Sequence, residues 1–139
     1  MISIYLDDYR TPIEHPEGAE WLVVRNYDQF VERVTEIGLE NIDMISLDHD
    51  LDKSATDHYF NYVKRNYHID YSQIKEMTGM DAVRWLVEYS RSTGNQIPQC
   101  YIHSHNPIGS GNMLGYLNLH FKNSREPEKC TLKRWEYKR

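Results

Sequence analysis

The stretch Met44-Ile45-Ser46-Leu47-Asp48-His49-Asp50 joins a short, mainly apolar segment to three polar side chains. The apolar part predicts a buried strand over 44–47, which delivers Asp48, His49 and Asp50 at its carboxyl end. Segments of the same character predict further strands over 2–6, 21–24 and 100–103. Because helical patterns separate several of these strands, the sequence indicates an α/β fold with a mostly parallel sheet.

Helical spacing of apolar residues predicts three helices. The first is expected to start with Asp28 as its N-cap and to end before Gly38. The residues 78–81, Thr-Gly-Met-Asp, form a capping box that starts the second helix. Asn106 precedes the third, which is expected over 107–122.

Two stretches depart from this alternation. Prolines within residues 11–20 predict that the connection between the first two strands lacks a full helix. Residues 51–77 form a long polar insertion that contains four tyrosines, with a short helix expected over 59–67. An insertion at the carboxyl end of a strand is a common position for a lid over a ligand.

The composition limits the class of protein. With 139 residues, of which 40% are hydrophobic and 27% charged, the chain is expected to form one globular domain over 1–139. No apolar run approaches the length of a membrane span. Two cysteines, Cys100 and Cys130, fit neither a disulfide framework nor a four-ligand zinc site, which predicts a cytoplasmic protein.

Charge is unevenly distributed along the chain. Residues 122–139 hold seven Lys/Arg and three Glu, so this basic tail carries +4 and residues 1–121 carry −9 of the net charge of −5. The tail is expected to be a solvated segment or an edge strand over 131–137, with contact to a nucleic-acid phosphate backbone as the alternative. The acidic body argues against a broad duplex-DNA surface.

Polar residues cluster after three of the predicted strands. Because the carboxyl ends of parallel strands meet at one edge of a sheet, the three clusters are expected to form one site. They are Asp7, Asp8 and Arg10; Asp48, His49 and Asp50; and His103, Ser104, His105 and Asn106.

The carboxylates predict a metal site. Hard oxygen ligands suit a divalent cation such as Mg²⁺ or Mn²⁺, here on Asp7, Asp8 and Asp48. In the alternative interpretation, Asp7 or Asp8 caps a turn and pairs with Arg10, while Asp50 only begins a loop. Clustered carboxylates repel one another, so a cation, Arg10 or His49 is expected to supply positive charge among them.

Two histidines are candidates for proton transfer. His49 and His103 leave neighbouring strand ends, where both rings are expected to meet one ligand as general acid and general base. Asp48 or Asp50 would orient one of the rings. A structural role for each histidine is the alternative.

The third cluster opens a helix and predicts an anion site. Backbone N–H groups at a helix start attract phosphate, and glycines permit close approach. In the alternative interpretation, the glycines only loosen the start of the helix, and no ligand binds there. The predicted ligand-binding residues are Arg10, Ser104, Asn106, Gly109, Ser110, Gly111 and Asn112.

Together the motifs resemble the cyclic-phosphate processing receiver-like family, over most of residues 1–121. The resemblance is carried by Asp-Asp-x-Arg-x-Pro at 7–12, Ser-Leu-Asp-His-Asp-Leu at 46–51, Thr-Gly-Met-Asp at 78–81 and His-Ser-x-Asn-Pro-x-Gly at 103–109. It implies a three-layer, receiver-like fold of the flavodoxin-like, Rossmannoid class, with the motif residues in one pocket. It also implies action on cyclic-phosphate products of nucleotide or RNA metabolism, in bacteria or phages.

The expected function is therefore a phosphoesterase that acts on a 2′,3′-cyclic phosphate or an ADP-ribose cyclic phosphate through His49 and His103. Tyr59 or Tyr62 of the insertion would stack on a base, with plain packing of these rings as the alternative. A binding module that sequesters or senses a cyclic nucleotide would need the same polar groups and remains open, as does an RNA-end factor. A phosphorelay receiver, with Asp48 as phosphoacceptor, is disfavoured because no Lys-Pro follows a fifth strand and the histidines would have no role. Oligomeric state stays open.

Overall fold

A single sheet of five parallel strands organises the molecule, whose computed structural model describes residues 1–51, 53–74 and 77–138. The strand order is β2-β1-β3-β4-β5, so the direction of progression reverses between β1 and β3. This confirms the expected receiver-like α/β fold. The strands are β1 (Ile2–Leu6), β2 (Trp21–Val24), β3 (Ile42–Leu47), β4 (Gln99–Ile102) and β5 (Cys130–Leu132).

Three longer helices pack on the sheet, and a mixed helical segment forms the insertion. The longer helices are α1 (Tyr27–Ile37), α4 (Gly79–Thr93) and α5 (Pro107–Asn123). The insertion consists of α2 (Lys53–His58), a π-helical turn (Tyr59–Val63) and α3 (Lys64–Asn66). The connection between β1 and β2 contains no helix, as predicted. No helix in the described ranges is long and apolar enough to cross a bilayer.

The helix boundaries follow local capping chemistry. The capping box of Thr78 and Asp81 starts α4, and the Asn106 side chain accepts a hydrogen bond at the start of α5, as predicted. The predicted N-cap of α1 was wrong, because the Asn26 side chain accepts the Gln29 N–H at 2.8 Å. Asp28 lies in the first helical turn, where the helix dipole also favours a carboxylate.

The two faces of the sheet are covered differently. Alternate strand residues such as Ile4 and Ile45 join the buried apolar core formed with the helices. The intervening residues, among them Tyr5 and Tyr101, lie on the opposite face, which we call the back face. Within the described residues, the back face is covered by residues 11–20 and 133–138 and not by a helix, through ring contacts that join Tyr5, His15, Trp21, Tyr101 and Trp135.

The predicted edge strand over 131–137 was correct only for its first residues. β5 ends at Leu132, and the chain then leaves the strand ladder. Beyond the end of β5, the indole of Trp135 is buried against the back face. Tyr137 forms an antiparallel bridge with Pro12, so the end of the basic tail returns to the segment that follows β1.

Candidate functional site

The carboxyl ends of β1, β3 and β4 border a cavity of about 440 Å³ beside the point where the strand order reverses. We call it the main cavity. Residues from all three predicted clusters line it: Arg10, Asp48, Asp50, Ser104 and Asn106. Its remaining walls contain Tyr9, Thr56, Tyr59, Phe60, Lys64 and His105. The topology therefore brings the three clusters together, as predicted, and the insertion forms part of the wall.

Arg10 is the buried cation of the site. Its Nε donates to Asp7 Oδ2 at 2.7 Å, and its Nη2 lies 3.1 Å from Asp48 Oδ2. The rings of Tyr9 and Tyr137 lie 5.4 and 5.6 Å from the guanidinium carbon. Contacts on several sides therefore hold the guanidinium in one orientation at the wall of the cavity.

The two carboxylates beside Arg10 differ in protonation. Burial, reinforced by the charge of Asp7, raises the pKa of Asp48 to about 7, although Arg10 opposes this shift. Burial would raise the pKa of Asp7 as well, but hydrogen bonds from His103 and Arg10 outweigh it and lower that pKa. Asp7 therefore stays ionised, whereas Asp48 changes charge near neutrality.

Asp48 is expected to make the free energy of unfolding fall as the pH rises from about 4 to about 7, whereas the lowered pKa values of His103, His105 and His120 act in the opposite direction below 6.5. In this range the unfolded chain has lost the Asp48 proton, whose pKa rises from 3.8 to about 7 on folding, while the native state still holds it. The raised pKa of Asp8 acts in the same direction. Denaturant unfolding in EDTA at several pH values measures the slope. Asp48→Asn should remove the downward contribution of this group, so the slope of the variant should be more positive than that of the wild type. An unchanged slope in the variant would contradict the assignment, and Asp43→Asn, on the same strand, is the control.

The predicted metal ligands lie together. Asp7, Asp8 and Asp48 can each offer one carboxylate oxygen within 4.8 Å of the others. Asp8 Oδ1 is buried and has no hydrogen-bond partner among residues 1–51, 53–74 and 77–138. Burial and the charge of Asp7 raise the pKa of Asp8. An unpaired carboxylate oxygen beside two further carboxylates is a donor set that fits a hard divalent cation.

His49 lies behind the main cavity and does not appear on its wall. Its ring is fully buried, with Nδ1 2.6 Å from Asp50 Oδ1 and Nε2 3.0 Å from the Tyr71 hydroxyl. A Cβ at Gly109 would lie 2.5 Å from the His49 ring, so only glycine lets α5 approach this closely. Gly109 therefore packs on His49, and Asp50 faces the cavity.

His103 is also set back from the main cavity. It is buried and stacks on Tyr5, with ring centroids 4.2 Å apart. Its Nδ1 lies 2.7 Å from Ser46 Oγ, and its Nε2 lies 3.1 Å from Asp7 Oδ2. Burial lowers the pKa of His103. Each predicted catalytic histidine thus contacts a carboxylate, Asp50 for His49 and Asp7 for His103. A direct catalytic role for either ring stays a prediction.

The predicted anion-binding residues divide between two places. Asn106 Oδ1 accepts the Gly109 N–H at 2.9 Å, and Asn106 Nδ2 lies 3.3 Å from Asp50 Oδ1. Ser110 is buried, with its hydroxyl 3.5 Å from the Ser104 carbonyl oxygen. Gly111 and Asn112 line a separate cavity, which also contains Tyr71 and Arg84.

Sequence reasoning assigned no role to several residues that line the main cavity. His105 is exposed on its wall, where partial burial and the charges of Arg10 and Arg134 lower its pKa. Its place in the His-Ser-His-Asn cluster was a signal that could have found it. Phe60 and Lys64 come from the insertion, and no motif marked them. Only the folded chain brings them to the site.

The parallel sheet, its strand order and the acidic edge define a receiver-like α/β domain. The family model for the cyclic-phosphate processing receiver domain matches residues 2–119, and the chain belongs to this family. No curated protein and no solved structure shows significant similarity to this chain. Residues 120–139, which include Trp135 and Tyr137, lie outside the matched range.

Proposed function

We propose that the protein is a phosphoesterase that opens the cyclic phosphate of a nucleotide bound in the main cavity. The observation that carries the proposal is the make-up of this cavity. One end holds the buried Arg10 between two carboxylates, together with His105, and another part of the wall offers exposed aromatic rings. Phosphate and base would thus both find suitable surfaces.

Several donors support binding of the phosphate. Arg10 supplies a fixed guanidinium, and Lys64, Ser104 and Asn106 supply further polar hydrogens on the cavity wall. Because Arg10 is already oriented by Asp7 and Asp48, it need not reorganise as charge develops on the phosphoryl oxygens. This arrangement favours the transition state over the bound cyclic ester.

His105 is our candidate for the general base. Its lowered pKa keeps the imidazole neutral near neutral pH, so it can accept the proton of an attacking water. The water oxygen forms a new bond to phosphorus, and the bond from phosphorus to one ribose oxygen breaks. The Asp50–His49 pair, joined at 2.6 Å, would deliver a proton to that leaving oxygen. The product is a phosphomonoester.

Other predicted residues would act indirectly in this proposal. His103 and Asp7 would hold Arg10 in place. Asp7, Asp8 and Asp48 would hold a divalent cation such as Mg²⁺ or Mn²⁺, which when bound neutralises phosphoryl charge.

Incubation with a panel of cyclic phosphates tests the proposal. The panel contains 2′,3′-cyclic nucleotides, an ADP-ribose cyclic phosphate and glycerol 1,2-cyclic phosphate, each with and without EDTA, with products identified by mass spectrometry. We expect a phosphomonoester from at least one nucleotide member. The absence of turnover over the whole panel, with Mg²⁺ and Mn²⁺ supplied, would reject the proposal.

Phe60→Leu is expected to raise KM for a 2′,3′-cyclic nucleotide by roughly tenfold and to leave KM for glycerol 1,2-cyclic phosphate unchanged. Phe60 and Tyr9 line the main cavity with 58% and 68% of their surface exposed, and stacking on such a ring is worth about 1–3 kcal/mol per base. Steady-state kinetics on both substrates measure the effect. Tyr67→Leu, at another exposed ring of the insertion, is the control. Equal KM changes for both substrates would exclude base stacking.

A non-catalytic binding module is the second candidate. The observation in its favour is that both ring nitrogens of His49 and of His103 already contact protein groups. In this case a cyclic nucleotide would be recovered intact from a tight complex with the protein.

A further inference from the structure

Trp135 lies on the back face of the sheet, opposite the helices, in the part of the chain that the family model does not match. Its indole is 7% exposed and packs edge-on against Trp21 and Tyr101, with ring centroids 5.4 and 5.2 Å apart. Its Nε1 donates to Ser46 Oγ at 2.9 Å. The buried indole therefore connects the basic tail to Ser46 of β3, two residues before Asp48.

The hydrogen bonds from this indole have a defined direction. An indole N–H can only donate, so the Ser46 oxygen accepts from Trp135. The ionised Asp7 can only accept, so Nε2 of the neutral His103 ring carries the hydrogen that Asp7 Oδ2 accepts. His103 Nδ1 is then the acceptor for the proton of Ser46, whose Oγ lies 2.7 Å away. Hydrogen bonds aligned in this way strengthen one another.

The chain of contacts ends in the main cavity. The oxygen of Asp7 that accepts from His103 also accepts from Arg10 Nε, at 2.7 Å. The remaining part of the tail holds Arg10 from another side, since the Tyr137 ring lies 5.6 Å from its guanidinium carbon. Backbone hydrogen bonds from Ile13 N to Glu136 O, at 2.9 Å, and from Lys138 N to Thr11 O, at 2.8 Å, fasten the tail there.

We propose that Trp135 is a positioning residue of the cyclic-phosphate site, which acts through Ser46, His103 and Asp7 to orient the Arg10 guanidinium. The basic tail thus helps to set the geometry of the site in this protein. The effect on turnover rests on the proposed function, whereas the coupling from Trp135 to His103 does not.

The test compares Trp135→Phe with Trp85→Phe, which changes another partly buried tryptophan, packed on Phe30 and Tyr89 of the helical side. Ring ¹⁵N resonances of the histidines are recorded by NMR without ligand. In Trp135→Phe we expect the His103 Nδ1 resonance to move towards the value of a free, unprotonated nitrogen, because Ser46 becomes a weaker donor. Trp85→Phe should leave it in place. An unchanged resonance in Trp135→Phe overturns the inference, whether or not the protein is an enzyme.

Kinetics on a 2′,3′-cyclic nucleotide provide the second readout. We expect Trp135→Phe to lower kcat about fivefold with KM nearly unchanged, the size of effect typical of one buried hydrogen bond. The double variant Trp135→Phe/Ser46→Ala should have a kcat only slightly lower than that of Ser46→Ala, because both substitutions break the same series of hydrogen bonds. Fully additive losses, or a wild-type kcat in Trp135→Phe, overturn the inference. An inactive wild-type protein instead rejects the proposed function, and the NMR comparison still decides the coupling.

Discussion

Replacing His105 by asparagine is expected to lower kcat on a cyclic nucleotide by about 10²–10⁴-fold, the usual contribution of a general base. His105 lies on the wall of the main cavity, and its lowered pKa leaves the ring able to accept a proton from water near neutral pH. Asparagine retains a polar side chain of similar size but cannot accept that proton. Steady-state kinetics across a pH series measure the loss.

The pH dependence separates this role from simple ligand contact. In the wild-type protein, kcat/KM should fall below the pKa of His105, itself under the usual 6.5, because the imidazolium has no free electron pair. The variant should lack this acidic limb, whereas a fall caused by protonation of Asp48, whose pKa is raised to about 7, should remain in both proteins. His68→Asn, at an exposed histidine of the insertion, should keep both the rate and the limb. If the part of the profile below pH 6.5 has the same slope in His105→Asn as in the wild type, another group is the base.

Arg10→Met is expected to lower the free energy of unfolding by about 3–5 kcal/mol, the cost of removing one partner from a buried ion pair. The guanidinium is almost fully buried between Asp7 and Asp48, so its removal leaves these carboxylates facing one another without a counter-charge. Denaturant unfolding near neutral pH measures the change.

Arg33→Met is the matched control. Arg33 pairs with Glu36 on the helix surface, where both side chains are about half exposed, and the expected change is below about 1 kcal/mol. The Arg10→Lys variant should fold, because lysine keeps the positive charge. It should lose most of its turnover, because the lysine ammonium lacks the planar, forked donor geometry of the guanidinium. If Arg10→Met and Arg33→Met lower the free energy of unfolding equally, the buried ion pairs of Arg10 stabilise the fold no more than an exposed pair does.

Local signals predicted most of the fold. The apolar runs placed β1 and β2 at their observed residues and β3 and β4 to within two residues. Capping chemistry identified the starts of α4 and α5, because a cap depends only on neighbours along the chain. It failed at α1, where Asn26 and Asp28 are both suitable caps and the helix begins at the earlier residue.

Side-chain placement in the site was harder to predict. His49 and His103 follow strands whose ends meet, but their rings turn to Asp50 and Asp7 and are buried behind the cavity. The direction of a ring depends on packing, here against Gly109 and Tyr5. Periodicity along the chain carries no information about such partners, which are distant in sequence.

The sequence by itself determined the parallel α/β fold, the family and the grouping of three polar clusters at one sheet edge. These depend on hydrophobic pattern, on capping and on the rule that parallel strands share a carboxyl edge. Only the tertiary structure decided which residues face the cavity and that Trp135 of the tail connects to Arg10. Such contacts form between segments far apart in the chain, and burial and hydrogen bonding select them only when those segments pack together.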